Sequence, residues 1–129
     1  MLVFVYGTLR KNESNHSFLK DAILVSQDCY TQGELYDSPY GYPFMVQADE
    51  GKVFGELYKI NEHQLSELDK LEDYFGPGGD NLYERVVQTV FTPERSFDAY
   101  VYLLLDVGRQ EGKLTHITCC DWIVYRQSK

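Results

Sequence analysis

Apolar and β-branched residues recur along the chain in short runs, most of them closed by Gly, Pro, Asp or Asn. The runs Leu2 to Tyr6, Ile23 to Ser26, Tyr30 to Tyr36, Lys52 to Ile60, Tyr83 to Phe91 and Phe97 to Leu104 each predict a strand. Six strands in 129 residues predict a curled sheet or small barrel. One segment follows the helical period instead, from about Glu62 to Asp73. It is opened by Asn61 as N-cap, with Gln64 three residues on to complete a capping box. A shorter helix is expected between Asn15 and Asp21. The echo of Gly33-Glu34-Leu35-Tyr36 in Gly55-Glu56-Leu57-Tyr58 has unrelated flanks, and it predicts two edge-like strands rather than a repeat. Loops are expected at Asp37 to Tyr42 and at Phe75 to Asn81, where Gly76-Pro77-Gly78-Gly79 opposes regular structure.

Composition sharpens this picture. The length suits a single domain over residues 1–129, and 43% hydrophobic residues supply its core. With 12 basic and 20 acidic residues the net charge is −8, and no stretch concentrates Lys and Arg. Nucleic acid and anionic membranes are therefore poor partners. The opening Met1-Leu2-Val3-Phe4-Val5-Tyr6-Gly7 lacks a basic leader and breaks at glycine before a signal core or membrane span forms, so a soluble, cytoplasmic protein is expected. Cys29, Cys119 and Cys120 are odd in number and two are adjacent, a pattern suited to a reducing compartment. No metal-ligand motif is present, and His116 with Cys119 and Cys120 is read as an adventitious cluster. Neither a metal nor a cofactor is expected.

Three constellations offer chemistry. In Val5-Tyr6-Gly7-Thr8-Leu9-Arg10 a glycine turn follows an apolar strand, which directs backbone N–H groups into one concavity suited to an anionic oxygen. On the helix, at 100° per residue from Leu65, Leu68 falls at about −60° and Glu72 at about −20°. Glu72 thus lies on the inward stripe and near the negative end of the helix dipole; burial and dipole both favour the protonated form, as suits a general base. The residues alone equally allow a half-buried Glu72 paired with Arg85, or one that reaches water. Glu62, Glu67, Asp69 and Asp73 read as solvated face. In the strand Tyr83-Glu84-Arg85-Val86-Val87, alternation puts Tyr83, Arg85 and Val87 on one side. Arg85 is a candidate to hold a carboxylate, or else a surface residue or the partner of Glu72. Tyr100 and Tyr102 read as core aromatics. Ser14, Cys29, His16, His63 and His116 lie in no nucleophile signature.

Taken in order, Val5-Tyr6-Gly7-Thr8-Leu9, Gly33-Glu34-Leu35-Tyr36 with Tyr42-Pro43, Val53-Phe54-Gly55-Glu56-Leu57-Tyr58, Leu68-Asp69-Lys70-Leu71-Glu72 and Tyr83-Glu84-Arg85 resemble the γ-glutamylcyclotransferase-like family, and most of all its γ-glutamylamine cyclotransferase branch and small microbial members. The resemblance implies an α+β fold, a small β-barrel with flanking short helices. It also implies conversion of a γ-glutamyl amine or γ-glutamyl amino acid to 5-oxoproline and a free amine. In that reading Glu72 is the acid/base, Tyr6, Gly7, Thr8 and Leu9 hold the substrate, and Arg85, Tyr83 and Tyr100 are candidate pocket residues. The rival is a non-catalytic binding module for a γ-glutamyl or other small acidic ligand. The glycine-rich insert Phe75 to Asn81 is expected at the cavity mouth, facing the leaving group.

Overall fold

Five strands close into a barrel in the computed structural model, which describes residues 1–39, 41–72, 74, 76, 83–104 and 114–127. They are β1 (Leu2–Val5), β2 (Ile23–Gln32), β5 (Lys52–Lys59), β6 (Tyr83–Phe91) and β7 (Ser96–Leu104), in the order β1-β5-β2-β6-β7. β1 runs antiparallel to β5 through Val3↔Tyr58 and Val5↔Glu56, and parallel to β7 through Val3↔Tyr100. A second sheet, β4-β3-β8, joins β3 (Glu34–Asp37) to β4 (Phe44–Val46) and β8 (Thr115–His116). Among the described residues the helices are α1 (Glu62–Leu71) and α2 (Trp122–Gln127), with a 3-10 turn at His16–Leu19.

Strand alternation divides the apolar side chains between two cores. Phe4, Cys29, Val53, Leu57, Val90, Ala99 and Val101 come from all five barrel strands and fill the interior, joined by Leu35, Met45, Ile117 and Trp122. The opposite face carries Val3, Val5, Tyr58, Tyr83, Tyr102 and Leu104, and against it pack Leu65 and Leu68 of α1 and Leu19 of the 3-10 turn. Leu68 is fully buried, a contribution of about 1.5–3 kcal/mol. Asn61 Oδ1 accepts from the Gln64 N–H at 2.8 Å while Gln64 Oε1 accepts from the Asn61 N–H at 2.9 Å, so the capping box fixes where α1 starts.

The strand assignments need several corrections. The runs at 23–26 and 30–36 are not two separate strands: β2 continues through Gln27 and Asp28 to Gln32, absorbing them with register shifts against β5. It stops at Gly33, whose φ of +155° releases the chain into the second sheet. The echoed segments are central rather than edge-like, since β5 lies between β1 and β2, and β3 between β4 and β8. The helix expected over 15–21 is only the 3-10 turn at His16–Leu19, and α1 ends at Leu71 with Glu72 as C-cap. Strands β4 and β8 and helix α2 were not anticipated. The expected loop Phe75 to Asn81 falls, apart from Gly76, outside the described residues.

Candidate active site

The turn after β1 and the end of α1 meet at one cavity. Its volume is about 190 Å³, and the described residues lining it are Phe4 to Leu9, Asn15, Tyr42, Pro43, Leu71, Glu72, Tyr83 and Tyr102. That is smaller than the roughly 300–1,000 Å³ of a pocket for a drug-sized ligand, so it suits a small metabolite or one arm of a larger molecule.

Local structure dictates what each wall presents. Tyr6 is buried, and its hydroxyl donates to the Tyr102 carbonyl at 2.7 Å, tying the turn to β7. Gly7 has no room for a side chain, because a Cβ there would lie 2.7 Å from Pro43 Cγ. Beyond it the Arg10 N–H returns to the Gly7 carbonyl at 3.0 Å, and the Asn15 N–H to the Thr8 carbonyl at 2.8 Å. The N–H groups of Thr8 and Leu9 make no hydrogen bond among the described residues, which leaves two donors for a ligand.

Glu72 occupies the C-cap of α1 at φ −90° and ψ 7°, its N–H still bonded to the Leu68 carbonyl at 2.9 Å. The last helical hydrogen bond therefore fixes the backbone at Glu72, and Glu72 lines the cavity. Burial raises the Tyr6 hydroxyl well above the usual phenol range, and the Glu72 charge raises it further. Tyr83 is raised for the same first reason, then by Tyr6 and by Glu72. Both phenols therefore stay protonated beside the carboxylate. Tyr83 is only 6% exposed and its hydroxyl makes no hydrogen bond among the described residues, yet none of their buried polar side-chain atoms lacks a partner. Its hydroxyl is consequently accessible rather than sealed in the core, and Tyr83 is one of the residues that line the cavity.

Comparison with known proteins gives this geometry a context. The profile of the gamma-glutamyl cyclotransferase, AIG2-like family matches residues 3–124. The chain belongs to this family. It is 44% identical over 85 residues to gamma-L-glutamyl-butirosin B gamma-glutamyl cyclotransferase of Niallia circulans, a match that covers 65% of this chain and 54% of that protein. It is 36% identical to the gamma-glutamylcyclotransferase family protein YtfP of Escherichia coli K12 over 95% of this chain and 96% of the relative. Among solved structures, YkqA of Bacillus subtilis superposes with a TM-score of 0.77 at 30% identity, covering 99% of this chain and 42% of YkqA. The chain thus spans about half the length of the first of these relatives and less than half of YkqA.

Within this cyclotransferase fold the sequence-derived candidates separate. Tyr6, Gly7, Thr8, Leu9, Glu72 and Tyr83 line the cavity, whereas Arg85 and Tyr100 do not. Arg85 is ion-paired with Asp69 rather than with Glu72, and its guanidinium lies 5.0 Å from the Tyr74 ring centroid and 4.9 Å from that of Tyr100. Asp69 is thus no solvated residue: it also accepts from the Tyr102 hydroxyl at 2.6 Å and ties α1 to β6 and β7 one turn before Glu72. His116 lies against Tyr36, with ring centroids 5.2 Å apart.

Other contributors were missed. Asn15 and Tyr102 line the cavity, as do Tyr42 and Pro43, whose place in the wall no local pattern marks. Behind the turn, Glu56 accepts from Arg10 Nε at 2.9 Å, the Lys11 N–H at 2.8 Å and the Tyr58 hydroxyl at 2.8 Å, and Arg10 continues to Asp121 at 2.9 Å. The one sequence signal for this brace was the Glu-x-Tyr echo: two residues apart on a strand, Glu34 and Tyr36 also face the same way and bond at 2.9 Å.

Proposed function

We propose that this protein is a γ-glutamyl cyclotransferase in which Glu72 is the general acid/base, converting a γ-glutamyl amine or γ-glutamyl amino acid to 5-oxoproline and the free amine or amino acid. The observation that carries the proposal is that Glu72 lines one small cavity together with Thr8 and Leu9, whose N–H groups make no hydrogen bond among the described residues. Family membership points to the same chemistry. In this reading Glu72 takes a proton from the substrate ammonium and the freed amine attacks the γ-carbonyl. The bond from that carbonyl to the leaving nitrogen then breaks as Glu72 delivers this first proton to the leaving nitrogen, and the second proton of the attacking nitrogen passes through the regenerated carboxylate to the free amine, which departs as its ammonium. Two protons leave the attacking nitrogen and two reach the leaving nitrogen, so the step balances without a redox cofactor.

A cavity of this size acts chiefly by folding the glutamyl arm so that amine meets carbonyl, a proximity effect worth effective molarities of about 10⁵–10⁸ M in well-oriented systems. The N–H groups of Thr8 and Leu9 hold an anionic oxygen, and the protonated Tyr83 hydroxyl supplies a further donor. The leaving amine projects outward, which admits substrates whose amine belongs to a larger molecule. The protein acts on small γ-glutamyl compounds in the cytoplasm, and the domain works as one unit. The test is incubation with γ-glutamyl amino acids, γ-glutamyl alkylamines and γ-glutamyl-ε-lysine, with 5-oxoproline followed by mass spectrometry. Release of 5-oxoproline from at least one class is expected. Tight binding of the panel with no product would instead establish a binding module.

A further inference from the structure

Asn15 sits where a helix cap belongs and does not cap. It precedes the 3-10 turn His16–Leu19, and asparagine is among the residue types whose side chain most readily accepts from the first free N–H groups of a helical turn. Here no side-chain capping bond forms. The side chain turns back across the loop, and Asn15 Nδ2 donates to Thr8 Oγ1 at 2.9 Å. The backbone repeats the link, the Asn15 N–H donating to the Thr8 carbonyl at 2.8 Å. Two hydrogen bonds from one residue thus fix the position of Thr8, and both residues line the cavity.

The direction of the side-chain bond has a consequence. A hydroxyl carries one proton and two acceptor sites. If Asn15 fills an acceptor site on Thr8, the Thr8 proton is left for another partner, and Thr8 makes no other side-chain hydrogen bond among the described residues. We infer that Asn15 is a positioning residue: its amide N–H holds Thr8 so that the Thr8 hydroxyl proton faces the cavity as a donor to an anionic oxygen of the ligand. With the N–H groups of Thr8 and Leu9, this makes three donors in one turn. The inference rests on the proposed function for the identity of the ligand. The anionic oxygen is either the α-carboxylate, present in substrate and product alike, or the oxyanion formed only during ring closure.

A double-mutant cycle tests the inference and separates these sources. The dissociation constants of 5-oxoproline and of 2-pyrrolidinone, the same ring without the carboxylate, are measured for the parental protein, Asn15→Ala, Thr8→Val and the double variant, together with kcat and KM on the best γ-glutamyl substrate. Thermal melting accompanies each variant. If the carboxylate is the partner, Asn15→Ala weakens 5-oxoproline about threefold to tenfold and leaves 2-pyrrolidinone unchanged; if the oxyanion is, kcat falls by that factor at constant affinity. Either way the double variant is no worse than Thr8→Val alone. Additive effects overturn the inference, because they show that Asn15 does not act through Thr8.

Asn15→Asp supplies a second check that does not depend on the alanine variant folding. A carboxylate accepts and cannot donate to Thr8, so Asn15→Asp should lose more than Asn15→Ala. Parental performance by Asn15→Asp would show that the Thr8 proton points at residue 15, and would overturn the assignment. Turnover by the parental protein with no loss in any Asn15 variant removes the role of Asn15 while leaving the function standing. A parental protein that neither binds nor releases 5-oxoproline removes both.

Discussion

Arg10, in the turn after β1, donates through Nε to Glu56 of β5 at 2.9 Å, with the two side chains only 10% and 6% exposed. This is a charge pair largely removed from water, and Glu56 is the shared acceptor for the Arg10 side chain, the Lys11 backbone and the Tyr58 hydroxyl. Removal of one member of such a pair strands the other charge, at about 3–5 kcal/mol. Glu56→Ala should therefore lower the melting temperature markedly, and should loosen the turn that holds Gly7 to Leu9. Thermal unfolding of the purified variant measures the first effect; an unchanged midpoint would show that Asp121 alone suffices for Arg10.

Glu72→Gln preserves the shape of the C-cap and removes the base. The expected result is a fall in kcat of about 10²–10⁴ with 5-oxoproline affinity largely retained. Steady-state kinetics and a binding titration on the same preparation separate the two effects. A variant that turns over at the parental rate would end the assignment of Glu72.

Gly7→Ala places a methyl carbon 2.7 Å from Pro43 Cγ and 2.9 Å from Pro43 Cδ, and a proline ring has little freedom to retreat. Overpacking of this kind costs about 1–3 kcal/mol. Because Gly7 and Pro43 are both cavity walls, displacement of either changes the pocket itself. We expect kcat/KM to fall at least tenfold even under conditions where circular dichroism shows the variant fully folded. Parental kinetics would mean that Pro43 moves without cost.

The sequence is most informative where one element carries its own signal. Alternation and β-branching mark the barrel strands, and the Leu65, Leu68, Glu72 phase places the carboxylate on the buried side of α1 because helical geometry needs no partner to be read. Elements defined by their neighbours are opaque. β8 is two residues long and exists only through its pairing with β3, and β4 is three residues following Pro43. Trp122-Ile123-Val124-Tyr125 has the composition of a strand, but it forms α2 because Asp121 Oδ1 accepts from the Ile123 and Val124 N–H groups at 3.0 and 3.2 Å. Asn15 and Asp69 are similar cases. Their roles depend on Thr8 across a loop and on Arg85 and Tyr102 across the sheet, and such pairings carry no local pattern.

Alkaline pH should unfold this protein steeply, because five buried acids hold their protons more firmly in the folded chain than in the unfolded one. Burial is the leading cause in each. The Glu72 charge adds to it at Tyr6, Tyr6 and Glu72 at Tyr83, the hydrogen bond to Asp69 at Tyr102, and the bond to Glu56 at Tyr58. The Cys29 thiol is pushed up to about 12. The sign follows from where the proton resides. Below their ordinary values both states are protonated and stability is fully present. Above about pH 9 for the thiol and about pH 10 for the phenols, only the unfolded chain releases protons, so stability falls with rising pH. Each such proton contributes about 1.4 kcal/mol per pH unit until the folded value is reached. A titration of tyrosinate absorbance should therefore show the exposed members of the 11 tyrosines ionising smoothly near pH 10. The buried ones should follow only in a cooperative step that coincides with loss of circular dichroism. Smooth ionisation of all 11 in a chain that stays folded would show that these hydroxyls reach water without unfolding.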